Sequence, residues 1–128
     1  MKRILCLDFD GVVHSYTSGW KGPRVIPDPV MPGALAFIAG MLVNGWDVAV
    51  HSSRSGYWGG RRAMRSWLKE QAGQMWYDSP AGSGLERVRF PLFKPPATVT
   101  IDDRALQFQG VWPDEIELRR FKPWKPAA

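Results

Sequence analysis

Two carboxylates stand two residues apart near the start of the chain, Asp8 and Asp10, and Gly11 follows at once. Residues i and i+2 of an extended chain point the same way, so Asp-x-Asp-Gly at a strand end sets two acids side by side. Acids this close repel and are stable together when a cation lies between them or one keeps its proton. An all-oxygen ligand set of this kind suits Mg²⁺. Gly11 lets the backbone turn sharply and approach a ligand closely. Taken alone, the pair reads better as turn residues or a helix cap. A second acidic pair in matching context, Asp102 and Asp103 near the other end of the chain, changes that balance.

Each pair closes an apolar run. Ile4-Leu5-Cys6-Leu7 has no polar alternation and reads as a strand buried on both faces of a parallel sheet. Thr98-Val99-Thr100-Ile101 is a second buried run, and residues 46–51 are a third, ending at Ser52-Ser53-Arg54. Hydroxyls and an arginine at a strand end ahead of a helix make a phosphate seat, although Ser52 read alone is better taken as an N-cap. In a parallel sheet all strand ends fall on one edge, where open α/β folds hold their ligands. Asp8/Asp10, Ser52/Ser53 and Asp102/Asp103 can therefore converge, with Lys94 just ahead of the third strand. Carboxylates would hold a metal, lysine and serine an anion, and one carboxylate is left as a nucleophile.

The segments between these strands must position them. Residues 32–45 read as a helix with a wide apolar surface, stopped by Asn44-Gly45, and residues 57–73 as a loop turning into a helix with Ala63, Met64, Trp67 and Leu68 inward. Residues 12–23 read as a polar, aromatic loop over the sheet edge, with Tyr16 and Trp20 either stacking on a base or sugar or covering the core. Pro27, Pro29 and Pro32 keep residues 25–32 extended. Met75-Trp76-Tyr77 suggests a short strand, residues 80–84 a flexible stretch, residues 87–90 an edge strand, and residues 105–111 a last strand. Residues 113–121 read as a short helix with acids early and arginines late. Phe121 and Trp124 in the proline-rich tail are expected to pack back on the domain.

Length and composition bound the rest. With 128 residues, the chain is expected to be one domain, 1–128, with a real core. A net charge of +5 favours an anionic substrate or nucleic acid, with Arg61, Arg62 and Arg65 either contacting a polyanion or forming a solvated basic face. The one cysteine, Cys6, excludes an internal disulfide, and with only two histidines a structural zinc site is not expected. No apolar run reaches membrane-spanning length, and Asp8 and Asp10 cut short anything like a signal peptide, so a cytoplasmic protein is expected.

Asp8-Phe9-Asp10-Gly11, a strand-end Ser52, Lys94 and Ile101-Asp102-Asp103 resemble, in order, the four motifs of the haloacid dehalogenase (HAD) superfamily of phosphohydrolases. The match spans Asp8 to Asp103. Ile101-Asp102-Asp103-Arg104-Ala105, with Lys94-Pro95 ahead, looks like short HAD-like proteins of bacteria and their viruses. The resemblance implies a three-layer Rossmann-like parallel sheet with helices on both faces. It implies that Asp8 attacks phosphorus to form an aspartyl-phosphate and that Asp10 protonates the leaving oxygen and then activates water. Ser52, or Ser53 in its place, would bond the phosphoryl group with Arg54 and Gly11 nearby, and Lys94 would steady the charge. Asp102 and Asp103, with Asp8 and the Asp10 carbonyl, would bind Mg²⁺.

Two features depart from the larger family members. Lys94 lies so close to Asp102 that a loop position is expected for it, and there is no room for a sizeable cap domain. An open site suits a bulky substrate, and with the basic charge and the aromatic residues Tyr16, Trp20, Tyr57 and Trp58 it favours a nucleotide or a polynucleotide 3′-phosphate end. The alternative is a HAD-like fold that binds nucleic acid or regulates without catalysis. A phosphoryl receiver domain is disfavoured because the middle strand ends without an Asp, and no Gly-x-x-x-x-Gly-Lys-Ser/Thr loop supports a kinase.

Overall fold

The computed structural model describes residues 2–78 and 82–126. Strand β1 (Ile4–Leu7) is the centre of a three-stranded parallel sheet of order β2-β1-β3, with β2 at Asp47–Val50 and β3 at Val99–Ile101. The register aligns Leu7 with Val50 on one side and with Ile101 on the other, so the three strands end level. Parallel pairing demands long crossovers, and the chain supplies α1 (Ala34–Val43) between β1 and β2 and α2 (Gly60–Ala72) between β2 and β3. A short α3 (Glu115–Arg120) comes last. The architecture is a mixed α/β fold with a small open sheet, compatible with a Rossmann-like arrangement. No helix among the described residues is long and apolar enough to cross a membrane.

The core forms where strand and helix periodicities meet. Leu5, Leu7, Val48 and Val50 join Ile38 and Leu42 of α1 and Met64, Trp67 and Leu68 of α2 in one buried cluster. Each fully buried aliphatic side chain contributes about 2 kcal/mol. Cys6 and its register partner Ala49 point to the opposite face and are buried too. The α1 surface is used less fully than its width suggests, because Ile38 and Leu42 are buried while Phe37 is half-exposed. The Asn44-Gly45 stop is realised, with Gly45 at φ 85°.

Several expected elements take other forms. The third strand is level with the others but not buried, since Val99, Thr100 and Ile101 are all exposed. Its apolar run is real, yet the C-terminal part of the chain does not fold back over it; α3 buries none of its residues. Residues 105–111 form no strand, and Trp124 stays 58% exposed and does not pack into the core. Met75 and Trp76 belong to a 3₁₀ turn, Gly73–Trp76, which buries the Trp76 ring as the extension of α2. The expected edge strand at 87–90 is reduced to Arg89, which pairs with the outer side of β2 through Arg89 N–H to Val48 O (3.0 Å) and Val50 N–H to Arg89 O (2.8 Å). Pro80 and Ala81 of the stretch read as flexible lie outside the described residues.

One packing detail prepares the site. A 3₁₀ turn, Ser53–Gly56, leads from β2 toward α2. A Cβ on Gly60 would fall 1.9 Å from the Arg54 carbonyl oxygen, so only glycine lets the start of α2 nest against this turn. That contact fixes the backbone from which Arg54 reaches into the molecule.

Candidate active site

The strand ends are tied together by backbone bonds. Asp8 N–H donates to Ile101 O at 3.0 Å, and His51 N–H donates to Leu7 O at 3.1 Å. Asp8 leaves β1 beside Asp102 and Asp103, which leave β3. Each of these three acids offers one carboxylate oxygen, all lying within 4.8 Å of one another. Gly11, at φ 85°, closes the cluster: a Cβ there would come 2.3 Å from Asp103 Oδ2. Among the described residues no group donates to the buried Asp103 Oδ1, and the Asp8 and Asp103 carboxyls lie within hydrogen-bonding reach of each other. Burial pushes the Asp8 carboxyl up, the Phe9 backbone bond opposes this, and the neighbouring Asp102 and Asp103 add to the rise, taking it to about 7. An orphaned carboxylate oxygen inside a cluster of mutually repelling acids fits a divalent cation bound by hard oxygen ligands.

Asp10, two residues on, lives in the opposite environment. His14 Nδ1 lies 2.9 Å from Asp10 Oδ1, and Arg54 Nε donates to Asp10 Oδ2 at 2.9 Å. His14 is fully buried, and its Nε2 accepts the Asp28 backbone N–H at 3.1 Å, so the ring proton is on Nδ1 and is donated to Asp10. The Asp28 carboxylate is in turn held by Ser18 N–H (2.8 Å) and Ser18 Oγ–H (2.5 Å). Arg54 is also fully buried. Its Nη1 donates to the carbonyls of Gly22, Pro23 and Val25, and its guanidinium lies 4.8 Å from the Trp20 ring. Burial alone would raise the Asp10 carboxyl, but the bonds from His14 and Arg54 prevail and hold it below the usual carboxylate range.

The remaining expected residues divide. Ser53 lines the cleft above the acids. The Ser52 hydroxyl instead caps the 3₁₀ turn: Oγ accepts Arg54 N–H at 3.0 Å, and Ser52 N–H donates to Ser55 Oγ at 3.1 Å. Arg54 serves Asp10 from beneath the cleft. Lys94 is exposed on a loop, as its spacing from Asp102 suggests, and makes no salt bridge among the described residues. It is not among the described residues that line the cleft with Asp8, Asp102 and Asp103. Burial pushes the Cys6 thiol up, Lys94 pulls it down, and Asp8 and Asp102 push it up again.

Sequence reasoning missed the Asp28–His14–Asp10 chain and the pairing of Arg54 with Asp10. The i, i+4 spacing of Asp10 and His14 was visible, but it marks a contact only in a helix, and here the chain turns back through loop hydrogen bonds. The cleft itself has a volume of about 730 Å³. Tyr16 and Trp20 wall it on one side, while Arg104, Trp124 and Lys125 contribute from the C-terminal stretch. Trp124 N–H donates to Asp103 O at 3.1 Å, which ties that stretch to the acid cluster. Tyr16 adopts φ 62°, a left-handed backbone that costs a non-glycine residue about 1 kcal/mol and is held by the surrounding loop. No protein-family model matches the chain, and no curated protein and no solved structure matches it either.

Proposed function

We propose that the chain is a capless, HAD-type phosphohydrolase: a Mg²⁺-dependent phosphatase that cleaves phosphomonoesters through an aspartyl-phosphate on Asp8. The carrying observation is the Asp8, Asp102 and Asp103 cluster, set at level strand ends with Asp10 beside it. The HAD-like reading makes the sheet the middle of three layers, in keeping with the buried side chains on both faces of β1. A cytoplasmic setting agrees with a buried Cys6 thiol that has no partner for a disulfide.

The chemistry divides between the two acids. An Asp8 carboxylate oxygen forms a bond to phosphorus as the ester P–O bond breaks, and the leaving oxygen takes a proton from the acid form of Asp10. The Asp10 carboxylate then accepts a proton from the water that attacks the aspartyl-phosphate, which frees phosphate and restores both acids. His14 and Arg54 keep Asp10 oriented and favour its carboxylate form, which suits the second step and works against the first. Asp8, Asp102 and Asp103, with the Asp10 carbonyl, are the groups that would hold Mg²⁺, which would supply positive charge against the phosphoryl oxygens. Ser53 and Lys94 are the chain's own groups for the phosphoryl oxygens, Ser52 supporting the turn that carries Ser53. The open cleft and the net positive charge favour nucleotides or polynucleotide 3′-phosphate ends as substrates.

The test is phosphate release with Mg²⁺ from 3′- and 5′-phosphorylated oligonucleotides, mononucleotides and an aryl phosphate, with Asp8→Asn as the blank. Release that depends on Asp8 supports the assignment, and the preferred arm names the substrate. No Asp8-dependent release from any of them would sink the catalytic reading in favour of a non-catalytic nucleic-acid-binding or regulatory module.

A further inference from the structure

A second cleft, of about 840 Å³, opens beside the first and is lined by Arg24, Tyr57, Trp58, Arg61, Arg62 and Leu92 among others, with no carboxylate in its lining among the described residues. Trp58 is 86% exposed, so core packing does not account for it. The Arg24 guanidinium lies 5.6 Å over the Trp58 ring. Gly59 makes this possible: it adopts φ 77°, and a Cβ there would lie 2.9 Å from Arg24 Cδ. Arg61 reaches the Phe90 carbonyl only at 3.4 Å, a long contact that a competing anion can replace.

The two clefts are joined by aromatic rings. Trp20 walls the acid cleft, Tyr57 lines the second, and their ring centroids are 6.0 Å apart. Buried Arg54 fixes Trp20 from below. We propose that Trp20, Tyr57 and Trp58, with Arg24, Arg61 and Arg62, form the track of a single-stranded polynucleotide whose phosphorylated end lies at Asp8. The direction of the strand rests on the phosphatase reading; the track itself does not. Unstacked bases lie against exposed aromatic rings while their phosphates meet arginines, a combination that binds single strands with little sequence preference. A duplex keeps its bases stacked away from Trp58. An acidic peptide matches the charge of this cleft but leaves its indole and phenol rings without use.

The decisive measurement is fluorescence anisotropy of an unphosphorylated single strand of about ten nucleotides on the full-length chain, so that the acid cluster contributes little. Trp58→Ala is expected to weaken binding about tenfold. Changing Arg61 and Arg62 to Ala should lower the slope of log affinity against log salt by about 1.4, two phosphates at about 0.7 each. An unchanged affinity in Trp58→Ala, or polyglutamate binding as tightly as the oligonucleotide, overturns the track. Phosphate release read alongside separates the two proposals. If the strand binds with these dependences but no phosphate is released, the track stands and the phosphatase reading falls. If mononucleotide and oligonucleotide are hydrolysed with the same KM in wild type and Trp58→Ala, the phosphatase stands and the track falls.

Discussion

Asp8 and Asp10 leave the same strand two residues apart, yet the protein treats them in opposite ways. Asp8 faces two more carboxylates, and burial with their charge takes it to about 7. Asp10 faces His14 Nδ1–H and the Arg54 guanidinium and is held below the usual carboxylate range. The difference is made by side chains from different parts of the chain: Asp102 and Asp103 follow β3, whereas His14 comes from the loop just after β1 and Arg54 from the turn after β2. Two like groups whose environments push their ionisation apart can take different parts in one reaction. Asp8 belongs to a cluster that could hold a metal ion, while Asp10 already has its cation built into the fold.

The largest break in this contrast is expected from Asp8→Asn. The amide keeps the shape and relieves repulsion but cannot attack phosphorus as a carboxylate does. Under the proposed mechanism, phosphate release should fall by at least about a thousandfold, roughly 4 kcal/mol in barrier, while the melting temperature of the metal-free protein rises. Residual activity within tenfold of wild type would remove the covalent route.

Arg54→Ala strikes the other acid. It leaves Asp10 half-buried without its permanent cation, frees the Gly22, Pro23 and Val25 carbonyls, and opens a void between Phe9 and Trp20. Breaking a buried pair from one side costs about 3 kcal/mol or more, measured by urea unfolding. A loss under about 1 kcal/mol would mean that the pair contributes as a surface ion pair does.

The two acids also predict opposite pH responses. Asp8 titrates near 7 when folded, against 3.8 for an unperturbed Asp. Between those values the folded protein carries a proton that the unfolded chain has lost, so this part of stability is present at low pH and declines as pH rises through about 7. Allowing for solvent screening of a partly exposed group, the decline is roughly 2 kcal/mol. It should vanish in Asp8→Asn and shrink when Mg²⁺ is added. Asp10 works the other way: its contribution is complete above the ordinary carboxylate range and is lost as pH falls through its depressed one. Melting curves of metal-free wild type and Asp8→Asn from pH 5 to 8 measure the Asp8 part directly, and parallel curves would count against it.

The sequence carried the strands and the acids well because apolar runs and their polar ends are local patterns. Ile4-Leu5-Cys6-Leu7 and the adjoining Asp-x-Asp-Gly specify a central parallel strand without knowledge of the rest. Asp102 and Asp103 could be placed opposite only because parallel strands end on one edge. The burial of β3 was not legible, since an apolar run does not reveal whether a later segment covers it, and here α3 does not. The alliance of Arg54 with Asp10 was hidden for a related reason. An arginine at a strand end looks like an anion seat, and whether that anion is a substrate or a carboxylate of the same chain depends on which way the loop at Gly22, Pro23 and Val25 folds.

The smallest expected effect tests whether the acid cluster is shaped for an ion. Gly11→Ala would put a Cβ into the space of the Asp103 carboxylate and strain a backbone at φ 85°. The strain alone costs about 1 kcal/mol of stability. Asp103 must also swing away from Gly11. With one of its three carboxylates moved, the site's Mg²⁺ affinity should drop about tenfold, near 1.4 kcal/mol. Isothermal titration with Mg²⁺ beside a thermal melt separates the two. A variant that loses stability yet binds Mg²⁺ as wild type does would show that Gly11 serves only the turn, and that Asp103 takes no part in holding the ion.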